Sequence, residues 1–372
     1  MAGAFSLLVV VHGVSGPPLG WLVERFGARS VIAAGGVLFA GGLFAGAEVS
    51  SVWQLYLFIG LLAATGMSTA GWVPSVVLIR EWFPGRVGTA IGVASVGIGM
   101  GIFGLVPVMQ ILIDSLGWRW ALRVLGAMVA VWVVPATLLL VRDAARPSRP
   151  GAAPLDVPGP VPRARHHWTP LTAVRSWRFW AAGFVFFTGS VATQMLLVHH
   201  VAYLVDHGVA ALVGATVVSI VGVASMAGKA GWGTLSDRIG REPTYTMAFA
   251  CVLLSVGALA LSGALPHTPV PYAYAVLIGV GYAVTAPLTP AVASDLFGGP
   301  QFPRIFGMLH VINSLGGALG AWVAGAIFDV SGSYARALPI AALMAVLSPA
   351  ALWLVAPRRP NPPPAVPFRR FA

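Results

Sequence analysis

The chain has 372 residues, of which 58% are apolar and only 9% charged, and its mean hydropathy is +0.85. A water-soluble domain carries about a quarter charged residues, so this composition excludes a soluble enzyme and a disordered regulator and points to an integral membrane protein. The formal charge of +11 lies in short loops and tails and forms no basic stripe on a helix, so it reads as topology and not as a nucleic-acid surface.

A membrane span needs about 20 apolar residues. Eleven candidates follow in chain order, at 3–23, 29–48, 52–79, 87–113, 119–141, 177–204, 209–233, 244–264, 270–296, 303–328 and 335–356. Residues 142–173 hold seven prolines and five arginines and read as a solvated linker. The Pro-rich basic stretch 357–372 reads as a disordered tail. The expected organisation is therefore all-α: five spans in 1–141, the linker 142–173, six spans in 174–356, and the tail. Eighteen of the 22 Lys and Arg residues fall on one side, with Arg119, Arg123 and Arg336 on the other and Lys229 within a span. The positive-inside rule makes the Arg-rich side, with linker and tail, cytoplasmic.

A short motif occurs twice in tight cytoplasmic turns. The first copy runs from Gly20 through Leu22, Glu24, Arg25 and Gly27 to Arg29; the second runs from Gly233 through Leu235, Asp237, Arg238 and Gly240 to Arg241. Glycines permit close approach, and a carboxylate can accept from free amides at a helix start. One span precedes the first copy in its half and two precede the second. A symmetric plan of twelve thus expects one further helix at the N-terminus, and the chain reads as beginning inside the second span of that plan, from a late start or a truncation.

Ionisable groups within spans mark function by default. The one lysine, Lys229, lies in the seventh span; snorkelling to the interface is its competing role. His12 and His310 also fall within spans, and His199 and His200 near the outer end of the sixth. Gln194 and Asn313 are deep uncharged polar groups, either substrate contacts or interhelical glue. Trp72 beside Pro74 could line a cavity where its helix is disturbed, and Gly97, Gly101, Gly316 and Gly320 fit close helix packing. One cysteine, Cys251, and scattered histidines give no metal-ligand spacing, and no phosphate-binding loop is present. No cofactor, metal or catalytic residue is expected, which disfavours a membrane enzyme.

The doubled motif, six spans in the second half and the mid-chain linker resemble the major facilitator superfamily. Finer cues resemble its monocarboxylate-porter and oxalate–formate-exchanger branch: Trp82-Phe83 through Arg86 to Gly92, Gly117-Trp118-Arg119, His200 through Tyr203 and Asp206 to Gly208, Asp295 to Gly298, and Gly325 through Phe328 and Asp329 to Tyr334. The resemblance implies two helix bundles around a central cavity, rocking alternating access and a small organic anion as substrate. It makes the motif residues conformational latches, and Lys229 and His200 match positions of the branch pattern. Proton-coupled members carry an acidic residue where this chain has Ser225, and oxalate exchangers carry a second cation where it has Asn313, so a two-cation clamp is disfavoured. The candidate substrate-binding set is Lys229, Ser225, Asn313, His310, Gln194 and His200, with protons as a further partner. The expected protein is a monomeric monocarboxylate carrier of a bacterial-type inner membrane. The alternatives are a major-facilitator carrier of another solute, such as drug or metabolite efflux, and a truncated non-transporting membrane protein.

Overall fold

The computed structural model describes residues 2–143, 168–265 and 268–355; most of the expected linker and all of the expected tail lie outside them. The described elements are helical throughout. Ten rods are long and apolar enough to cross a membrane, here counted second to eleventh: Ala28–Ala47, Val52–Trp82, Val87–Leu116, Trp118–Leu140, Trp177–Asp206, Ala211–Ile239, Arg241–Ala264, Val270–Phe297, Phe302–Ser331 and Tyr334–Val355.

The first expected span differs. It forms two helices, Ala2–Val14 and Gly16–Phe26, interrupted at Ser15. Pro17 and Pro18 have no N–H to return to the carbonyls one turn earlier, so the ladder fails there. The Ser15 hydroxyl donates to the His12 carbonyl at 2.9 Å and covers part of the gap.

Proline also interrupts the third and ninth spans. The third contains a π-helical stretch, Tyr56–Ala63, and breaks at Gly71, just before Pro74. The ninth divides into Val270–Tyr282 and Thr285–Phe297, with a turn at Ala283 and Val284 that precedes Pro287.

The second span packs against the third and fifth; the sixth packs against the tenth and eleventh, and the eighth against the ninth and eleventh. Two crossings join these groups, the first span with the tenth and the fourth with the seventh. Both crossings bring backbone onto backbone. A Cβ on Gly16 would collide with the Gly307 carbonyl, and one on Gly88 would lie 2.8 Å from the Gly233 carbonyl oxygen. Only glycine fits such an approach.

The glycine pattern read from sequence divides. Gly316 and Gly320 do pack tightly, against backbone of Phe187 and Val191 in the sixth span. Gly97 and Gly101 have open space beside them, and the close approach of the fourth span falls to Gly88 and Gly92. A Gly-x-x-x-Gly spacing shows that a helix has a smooth face without saying which turn meets a neighbour.

Candidate transport cavity and inter-bundle contacts

A cavity of 820 Å³ lies between the two groups of helices, within the range of about 300–1,000 Å³ usual for small-molecule sites. The breaks in the third and ninth spans sit on its wall, at Gly71-Trp72 and Tyr282–Thr285. Much of the wall is apolar, with Met67, Trp72, Val76, Ile79, Ile98 and Leu197. Its uncharged polar groups include Ser75, Ser190, Thr193, Gln194, Thr289 and Asn313. Its ionisable groups are His12, Lys229, Tyr282 and His310. No carboxylate lines the wall among the described residues.

Lys229 is only 6% exposed. Its Nζ lies 5.9 Å from the centre of the Tyr282 ring, and it makes no ion pair or hydrogen bond with any described residue. Burying an ammonium without a partner is costly, so an anion bound at this wall would stabilise the charged form of Lys229. The Lys229 backbone is fixed from behind: a Cβ on Gly92 of the fourth span would collide with its carbonyl.

Of the six candidate substrate residues, the fold brings four to this cavity: Lys229, Gln194, His310 and Asn313. Ser225 is not among the lining residues; it is fully buried, and its hydroxyl donates to the Gly222 carbonyl of its own helix at 2.8 Å. His200 also lies elsewhere. Its Nδ1 is 3.2 Å from the Leu196 carbonyl and its ring 5.7 Å from that of Tyr274, on the packed side of the sixth span. The sequence cues for Trp72 and Pro74 coincide with a disturbed helix at the wall. Ser75, Thr193, Thr289 and Tyr282 carry no local sequence signal that separates them from other small or aromatic residues of apolar helices.

The motif copies occupy equivalent places at the two crossings. The Asp237 carboxylate accepts from the Gly88 amide at 3.2 Å, the Thr89 amide at 2.6 Å and the Thr89 hydroxyl at 2.8 Å. Gly88 and Thr89 are in the first turn of the fourth span, where backbone amides have no partner inside the helix. Arg241 holds the same carboxylate at 2.6 Å and pairs with Asp295 at 2.9 Å. At the other crossing Glu24 accepts from the Arg304 amide at 3.3 Å and pairs with its guanidinium at 2.6 Å. Arg304 is in the first turn of the tenth span. Each acidic motif residue therefore sits on the positive end of a helix from the other group.

The remaining motif residues do other things. Gly20 faces backbone of Pro303 and Arg304, and Gly233 faces Gly88. Gly27 and Gly240 take φ values of +88° and +102° at the turns between helices. The Arg29 amide donates to Asp143 at 3.0 Å and its guanidinium donates to the Leu138 carbonyl, both at the end of the fifth span. Arg25 is exposed and stacks on Trp21 and Phe26; Arg238 is exposed. Neither crosses between the helix groups. A further cross-group contact, unmarked in the sequence, joins Arg80 Nε to the Ser294 hydroxyl at 2.6 Å and lays the Arg80 guanidinium over Phe302. Away from the motifs, Gly101 and Gly104 of the fourth span and Gly222 of the seventh have no facing atoms. The polar contacts between the helix groups thus lie on the motif side.

Residues 1–297 match the Major Facilitator Superfamily, and the chain belongs to that family of membrane transporters. It is 28% identical over 335 residues to monocarboxylate transporter 13 of Rattus norvegicus, covering 88% of this chain and 73% of that protein. It is 29% identical over 367 residues to monocarboxylate transporter 11 of Mus musculus, covering 95% and 78%. In fold it is similar to the E. coli fucose:proton symporter, with TM-score 0.72 at 16% identity over 96% of this chain and 92% of that one. The protein is an integral membrane secondary transporter and not an enzyme.

Proposed function

We propose that the protein moves a small organic anion of the monocarboxylate type by rocking alternating access, with Lys229 as the ionic partner of the carboxylate. The observation that carries this reading is the unpartnered, buried ammonium on a wall without a second cation. One charge suits one carboxylate, and the apolar surface around it suits the rest of a small organic acid. The names of the relatives support the same substrate class. Gln194 and Asn313 line the same cavity and in this reading hydrogen-bond the solute.

In this reading the two bundles span 1–141 and 174–356, and Glu24 and Asp237 latch the motif side. That side faces the cytoplasm of a bacterial-type inner membrane, so the described arrangement faces outward, and the monomer is the working unit.

The test is uptake of pyruvate, benzoate and oxalate into proteoliposomes. Losing a charge-assisted contact costs about 2–4 kcal/mol, so Lys229→Ala should lower monocarboxylate uptake at low concentration by about 30-fold or more. Oxalate should be a poor substrate of the wild type. Equal uptake of every carboxylate by wild type and Lys229→Ala would overturn the anion site and favour transport of another solute.

A further inference from the structure

The cavity wall carries two histidines that the anion site does not use. His12 comes from the first span and His310 from the tenth, so each belongs to a different helix group. Their rings stand edge to face with centroids 5.9 Å apart. They lie one turn beyond the Gly16–Gly307 contact, beside Gly13, which faces the Ser314 side chain.

His12 is tied to the third span: its Nδ1 lies 3.0 Å from the Ser68 hydroxyl, which is also 2.8 Å from the Ala64 carbonyl. Either placement of the hydroxyl hydrogen leaves one nitrogen of the neutral His12 ring with a lone pair. His310 hydrogen-bonds to no described residue; Phe306 is its other ring neighbour, at 6.3 Å.

Facing the pair across the cavity, the titratable groups are Lys229 on the seventh span and Tyr282 on the ninth. The third, fourth and sixth spans present only uncharged groups there, among them Ser75, Ala94 and Gln194.

We infer that His12 and His310 together form a proton-binding site at the floor of the cavity, loaded in concert with the bound anion. A proton from water on the open side adds to a ring nitrogen lone pair, on His12 or on His310, and no other bond changes. Two imidazolium rings this close repel, so the pair takes one proton. With Lys229 already charged, the empty cavity disfavours that proton. An anion on Lys229 removes the penalty, and by linkage the proton tightens the anion. The coupling rests on the carboxylate reading above; the proton site does not. Because the rings come from opposite helix groups, rocking separates them and changes the environment of the proton.

The test uses the full chain in lipid nanodiscs, labelled with ¹⁵N-histidine. One shared titration between about pH 5 and 8 should appear in the spectra and vanish in both His12→Asn and His310→Gln. The asparagine amide can still hydrogen-bond Ser68, and thermal melting of both variants checks that they fold. If neither ring titrates between about pH 4 and 9, the proton site is overturned, whatever is transported. In the second arm, benzoate binding is measured calorimetrically in buffers of different ionisation enthalpy. Wild type should take up about one proton per benzoate near neutral pH, and each histidine variant close to none. A shared titration with no benzoate binding would sustain the proton site and sink the carboxylate reading. Benzoate binding with undiminished proton uptake in both variants would overturn the coupling.

Discussion

Asp237 and Glu24 occupy the same motif position and cap equivalent helices, yet each finds its arginine differently. Asp237 is held by Arg241 from its own motif. The first copy has Ala28 at that place, and the charge comes from Arg304 on the facing helix. Glu24 therefore depends on the crossing for its charge partner, whereas Asp237 keeps one when the crossing opens. Removing the Asp237 cap from Gly88 and Thr89 should cost the closed motif side about 1–2 kcal/mol. In the Cys251→Ala background, spin labels at Arg25→Cys and Arg238→Cys would report the separation of the two helix groups. Asp237→Ala should raise the population with the longer distance by about tenfold; an unchanged distance distribution would show that the cap does not hold this side shut.

At the scale of helices, the crossings depend on the absence of side chains at particular turns. Gly16→Ala and Gly233→Ala each place a methyl group against backbone of the facing span, at Gly307 and at Gly88. Backbone cannot rotate away as a side chain can, so the spans must separate. Both variants should shift the same spin-label distance outward and lower the melting temperature. Gly97→Ala has open space for its methyl group and gains helix propensity of up to about 1 kcal/mol. It should leave the distance unchanged, and a shift as large as that of Gly233→Ala would contradict the helix placement. The proline breaks act on the cavity instead. They bring Gly71, Trp72, Tyr282 and Thr285 to the wall where a continuous helix would present a regular face.

The whole molecule is two helix groups joined at two backbone crossings on one side, with the Arg80–Ser294 contact as a further link. Opening that side requires both crossings to part. The Glu24 and Asp237 contacts share no partner, so their contributions should add in free energy. Glu24→Gln combined with Asp237→Asn should shift the open population by the product of the two single shifts. A double variant no more open than either single one would mean that one crossing alone controls the motion.

The membrane setting, ten of the eleven expected spans and the doubled motif were legible from residue type and spacing alone. Hydrophobic length is a local property set by bilayer thickness, and the repeat needs no knowledge of contacts. The same holds for Lys229, since one lysine among arginines in an apolar run stands out wherever the chain folds. The resemblance to the porter branch placed Ser225 and His200 in the candidate site, but which way a helical side chain faces is set by the neighbours it packs against, and these two face packed helix and not the cavity. For the same reason sequence reasoning took Gly97 and Gly101 as contacts in place of Gly88 and Gly92. Only the tertiary structure decided that Arg304 answers Glu24 across 280 positions of sequence, and that His12 and His310 share one wall. Such pairings depend on how two separately folded helix groups meet, and no local pattern in the chain records that geometry.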